Sequence, residues 1–147
     1  MPDGSATGIG VSVKRKEDYR FLVGEGNYTD DINMPNQTYS YMFRSNTAHA
    51  NFKIDVKDAS NAKGVVKIFV GTDMEVGSIP CGWQVDSKDG TPMREPAHPP
   101  IAKDKVRYVG EILAVIIAES IEEAKNAAEL IEVNFDEKPV IINMNDA

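Results

Sequence analysis

The chain has 147 residues, of which 41% are hydrophobic and 27% charged, with a formal net charge of −7. That length suits one domain able to bury a core, and no apolar run approaches the roughly 20 residues that span a bilayer. The densest basic group, Lys14-Arg15-Lys16, is followed at once by Glu17 and Asp18, which argues against the cationic cluster that a nucleic-acid partner needs.

Residues 1–10 are small and polar and lack the basic start and apolar stretch of a secretory signal. Cys81 is the single cysteine, so no internal disulfide can form. A cytoplasmic location is the expectation. Residues 1–10 read as an arm, loose or docked on a partner. Residues 11–31 are polar with scattered aromatics (Tyr19, Phe21, Tyr28), contain Gly24 and Gly26, and end in Asp30-Asp31. This is a poor strand and a poor helix, so it is expected to be an ordered loop.

After the turn signal Met34-Pro35-Asn36, the run from Thr38 to Arg44 is rich in aromatics and predicts a strand. Residues 52–56 alternate apolar and polar, the period of a half-buried strand. A helical turn over 58–62 leads to Gly64, and residues 65–70 predict a buried strand by their β-branched content. Residues 77–100 hold five prolines, three glycines and Trp83. Such a long irregular stretch points to a loop shaped against a surface.

Residues 105–109 and 111–118 predict two strands pivoting at Gly110, the second apolar enough to be central. Ser120 and Glu123 form a capping-box pattern, in which each side chain would take the other's backbone N–H. Ile121, Ala124, Ala128 and Ile131 then give one apolar stripe. A strand over 133–135 follows. Together the elements predict an α+β fold: a mixed sheet with a helix over about 120–131 packed on it. The expected division is an arm and ordered loop over 1–36 and a core over 37–147.

No complete active site emerges. Gly24-Glu25-Gly26 has Thr29 where a dinucleotide fingerprint needs its third glycine. His49 and His98 have no second ligand at metal spacing. Cys81 and His98 share a loop region, but nothing supplies the orienting third group of a nucleophile. Asp30 and Asp31 are adjacent, so extended backbone would point them apart. They suit a turn or a partner's basic side chain better than acid–base work. Trp83 is the strongest contact candidate, since exposed aromatics anchor interfaces; burial against its own core is the other reading.

Taken in order, the motifs resemble a known family. Gly24-x-Gly26-x-Tyr28-Thr29-Asp30-Asp31-Ile32 is similar to the opening of molybdenum hydroxylase large subunits. Arg44-Ser45-x-x-Ala48-His49-Ala50 resembles that family's Arg-Ser-Pro-x-Ala-His-Ala stretch, with Asn46 in place of the proline. Gly64-Val65-Val66, Gly71-Thr72-Asp73, Lys105-Val106-Arg107-Tyr108-Val109-Gly110-Glu111, the stretch 114–118 and the stretch 127–133 complete the pattern. The segments around Cys81-Gly82-Trp83, Ser87 to Met93 and Ala97-His98-Pro99-Pro100 are most similar to carbon monoxide dehydrogenase large-chain-like members.

The resemblance, which takes in xanthine dehydrogenase and aldehyde oxidase, implies the N-terminal α/β hammerhead domain. It places molybdopterin and the catalytic glutamate in a later part of the large subunit, and iron–sulfur clusters and FAD in electron-transfer modules. The chain ends about where a hammerhead would, so no cofactor is expected on it. The implied role is packing against the catalytic part and the electron-transfer subunits. Tyr28, Asp30, Asp31, Trp83 and Arg107 are the first candidates for those contacts. A free-standing interaction module that kept the fold is the alternative. A biotinyl or lipoyl carrier is set aside, because no Met-Lys-Met occurs.

Overall fold

A computed structural model describes residues 9–10 and 15–146; apart from Ile9 and Gly10, the arm read at 1–10 lies outside them. The chain divides into two units, Met1–Asn36 and Gln37–Ala147.

In the first unit the expected loop contains a five-residue helix, α1 (Asp18–Leu22). Asp18 Oδ2 accepts the Arg15 N–H at 3.2 Å, which draws the chain into the turn. So short a helix is not stable by propensity alone. It is held by a ring stack: Phe21 and Tyr28 lie 5.6 Å apart, with the Arg20 guanidinium 5.1 Å from the Phe21 ring centre. Gly26 permits that stack, because a Cβ there would sit 3.1 Å from the Phe21 ring and 3.3 Å from Tyr28. A 3₁₀ turn over Thr29–Asp31 follows, with Asp31 Oδ2 accepting the Tyr28 N–H at 2.8 Å.

The second unit holds two antiparallel three-stranded sheets among the described residues, rather than the single mixed sheet expected. In one, β1 (Tyr39–Arg44) and β3 (Val65–Val70) flank β5 (Ile112–Ala118). In the other, β4 (Lys105–Val106) and β6 (Glu132–Glu137) flank β2 (Ala50–Asp55). Helices α2 (Lys57–Ser60) and α3 (Ile121–Ala128) pack on the first sheet.

The apolar character of β5 follows from its central place. Ile116 stands opposite Tyr41 on one side and Ile68 on the other. Ala114, Ile116 and Ala118 form one core with Ala124, Ala127 and Ala128, whose small side chains bring α3 close to the sheet. Fully burying a side chain such as Ile116 stabilises the fold by about 2 kcal/mol. Leu113 joins Phe52, Ala102 and Val106 in a second core associated with the β2 sheet.

Several expectations change at this level. Strand β3 lies at the edge of its sheet, with Val66 and Phe69 exposed, because β-branched content selects a strand without selecting a central one. The strand expected over 105–109 shortens to two residues and belongs to the opposite sheet from β5. Helix α3 ends at Ala128 rather than near 131, and Ile121 is exposed. Its cap is one-sided: Ser120 Oγ accepts the Glu123 N–H at 3.2 Å, while the Glu123 carboxylate takes the Ser120 hydroxyl at 2.9 Å. A side chain at Gly64 would run into that carboxylate, so glycine is required there for space as well as for its positive φ.

Candidate functional site

Two sequence motifs more than sixty residues apart meet in a polar knot. Glu111 and Ser45 are each only 4% exposed and are the two buried polar residues of the described core. A buried carboxylate must be paired and hydrogen-bonded. Glu111 meets this through Arg107: its Oε2 accepts the Arg107 N–H at 2.6 Å, and its Oε1 lies 3.8 Å from the guanidinium. Ser45 donates its hydroxyl to Thr47 O and accepts the Thr47 N–H. The backbones then interlock, Ser45 N–H to Glu111 O at 2.9 Å and Gly110 N–H to Ser45 O at 2.8 Å. The Arg44 guanidinium donates to Gly110 O at 2.8 Å. The result is a rigid turn over residues 107–111 with Gly110 at φ 90.

Beside it lies the excursion over 74–104, which has no helix and only the isolated bridge Asp86↔Pro92 before β4. Its shape comes from its own polar groups. The Glu95 carboxylate accepts the Cys81 N–H and the Gln84 side-chain amide. Ser87 N–H donates to Thr91 O at 2.8 Å, closing a small hairpin. Thr91 also donates its hydroxyl and N–H to Asp89, and these bonds, the hydroxyl's first, hold the Asp89 carboxyl below its usual range. The far end is anchored by His98, whose ring stacks on Tyr108 at 6.2 Å and whose N–H meets Ser78 Oγ at 2.6 Å. A groove of about 220 Å³ runs between this base and the rigid turn, lined by Val76, Ser78, Pro99, Lys103, Asp104 and Arg107 among others.

Trp83 stands on the excursion and is 81% exposed, so it is not folded back on a core. Arg107 divides its groups between Glu111, Lys105 O and the groove. Tyr28, Asp30 and Asp31 share one turn of the first unit, where Tyr28 is exposed and Asp31 is occupied in holding the turn. The five expected contact residues therefore fall in two groups, one per unit. Ser45 and Glu111 lie within two of the quoted motifs, but no local pattern marks either as buried, since Ser45 sits between Arg44 and Asn46 and Glu111 follows a turn glycine.

No three His, Cys, Asp or Glu side chains are placed to hold a metal among the described residues. His49 Nδ1 is 2.7 Å from Pro139 O and His98 stacks on Tyr108, so both have structural partners. Exposed Cys81 directs its Sγ at Trp83 O, 3.2 Å away.

The comparisons with known proteins match this architecture. The model of the aldehyde oxidase and xanthine dehydrogenase a/b hammerhead domain covers residues 23–139. The chain belongs to that family. The hammerhead is 34% identical over 138 residues to the nicotine 6-hydroxylase large subunit of Paenarthrobacter nicotinovorans, covering 92% of this chain and 16% of that one. It is 30% identical over 137 residues to the carbon monoxide dehydrogenase large chain of Afipia carboxidovorans, again covering 92% and 16%. Among solved structures, quinoline 2-oxidoreductase from Pseudomonas putida 86 superimposes with a TM-score of 0.80 at 32% identity, over 94% of this chain and 17% of that one. The hammerhead thus corresponds to a small part of large subunits of molybdenum-dependent oxidoreductases. Among its described residues no helix is long and apolar enough to cross a membrane.

Proposed function

We propose that this hammerhead is a non-catalytic packing domain of a molybdopterin-dependent oxidoreductase large subunit, acting in the cytoplasm. The observation that carries the reading is the family match over residues 23–139 combined with a chain spanning 16% of its relatives. On this reading molybdopterin, iron–sulfur clusters and FAD belong to other parts of the assembly. The core over 37–147 supplies the scaffold, and residues 1–36 serve as an arm and ordered loop that extends the contact. Trp83 and Arg107 from the core, with Tyr28, Asp30 and Asp31 from the arm, are the contact residues. What supports these assignments is exposure: Trp83 and Tyr28 are large and exposed, the Trp83 backbone carbonyl accepts the Cys81 thiol, and the Tyr28 ring stacks on Phe21.

The test is co-expression with the catalytic remainder of the large subunit from the same source, followed by size-exclusion chromatography and metal analysis. The expected outcome is a stable complex whose molybdenum stays with the remainder when the two are separated. A hammerhead that never co-elutes with that remainder would overturn the reading and favour a free-standing interaction module.

A further inference from the structure

The turn over 107–111 has a feature that core packing does not require. Its backbone is pinned from three directions, by buried Ser45, by buried Glu111 and by the Arg44 guanidinium. Yet the residues it presents at the tip face solvent: Val109 is 63% exposed and Tyr108 is 45% exposed. Single exposed apolar residues are ordinary on protein surfaces. A pair on a backbone this constrained is different, because a rigid anchor loses little conformational freedom when it docks. His98 stacks on Tyr108 and steadies that ring as well.

The charge around the tip is also out of keeping with the chain. The molecule carries −7 in total, but in the segment 103–111 Lys103, Lys105 and Arg107 stand against Asp104 and the buried Glu111, which pairs with Arg107. Arg44, held to Gly110 O, adds a fourth cation beside the turn. An apolar tip set in a cationic collar complements an apolar pocket rimmed by carboxylates.

We propose that the Tyr108-Val109 tip is a preformed plug that inserts into an acid-rimmed apolar pocket on the catalytic remainder of the large subunit. This rests on the packing role proposed above and names the surface and the partner chemistry that carry it. Ser45 and Glu111 act as positioning residues for the plug, and the collar steers the encounter.

The experiment measures Kd between the 147-residue chain and that remainder for wild type, Val109→Asp, Tyr108→Ala and the pair Lys103→Glu/Lys105→Glu. Both tip variants are expected to weaken binding by about tenfold or more, as anchor truncations do. The collar variant is expected to slow association and flatten its salt dependence. Circular dichroism and melting curves verify that each variant is folded; should Val109→Asp melt early, Val109→Ser takes its place. Wild-type binding with unchanged affinity in the tip variants overturns the plug and leaves the packing role standing. No binding by the wild type overturns both.

Discussion

Glu111 shows how much one buried side chain can organise. Its carboxylate accepts the Arg107 N–H and lies near the Arg107 guanidinium, while its own backbone carbonyl receives Ser45. Glu111→Ala leaves the Arg107 N–H without its acceptor in a part-buried place, a loss of about 1 kcal/mol. Glu111→Gln keeps an acceptor oxygen and gives up only the charge attraction to a guanidinium that is 39% exposed, so its cost is smaller. Urea unfolding of the two variants should rank them in that order; equal losses would mean that the ion pair, not the hydrogen bond, dominates. Neither role was legible beforehand. The residue sits next to Gly110 in a motif whose local pattern says only turn and strand, and its partner Ser45 lies 66 positions earlier.

At the scale of elements, local pattern located strands well and assigned their neighbours poorly. The helix start at Ser120 and the central character of β5 were both readable, the first from its cap and the second from an unbroken apolar run. That β4 and β6 would leave β5 and pair with β2 depends on long-range register, which no periodicity records. The hairpin over 86–92 was equally hidden, because its order comes from Asp89 and Thr91 rather than from apolar alternation. It yields a pH prediction. Hydrogen bonds from Thr91 lower the Asp89 pKa from its ordinary 3.8 in the folded chain. A depressed folded pKa stabilises the hairpin above the unfolded value, and that contribution fades as pH falls through the folded one. The Thr91 amide resonance should therefore move in acid with a midpoint below 3.8. A midpoint at or above that value would contradict the assignment.

For the molecule as a whole, the ordered series of motifs identified the family, whereas the surface proposed to meet a partner was only half visible. Trp83 announced itself by being the single tryptophan in a proline-rich stretch. The tip at Tyr108-Val109 did not, since the same letters read as a strand until the knot bends them outward. The outer part of the excursion, residues 78–98, holds to itself and to the turn, whereas Ala102 and Asp104 at its end hydrogen-bond to β5 and β2. Replacing residues 80–95 by a short Gly-Ser linker should change the melting temperature by only a few degrees, because loop-closure entropy varies slowly with length, about 0.6 kcal/mol per doubling. Binding to the catalytic remainder should fall sharply in the same variant. A cooperative collapse of the core on that replacement would show that the loop is structural after all.

Gly71 explains why such an exchange is possible. A Cβ on it would lie 2.2 Å from Ala102 O and 2.9 Å from Lys103 Cα, so the chain that leaves β3 touches the chain that returns toward β4. The excursion therefore leaves and rejoins the scaffold at one place, so a change in its length asks little of the strands on either side. The hammerhead is thereby a scaffold whose excursion can vary while both of its sheets keep their register.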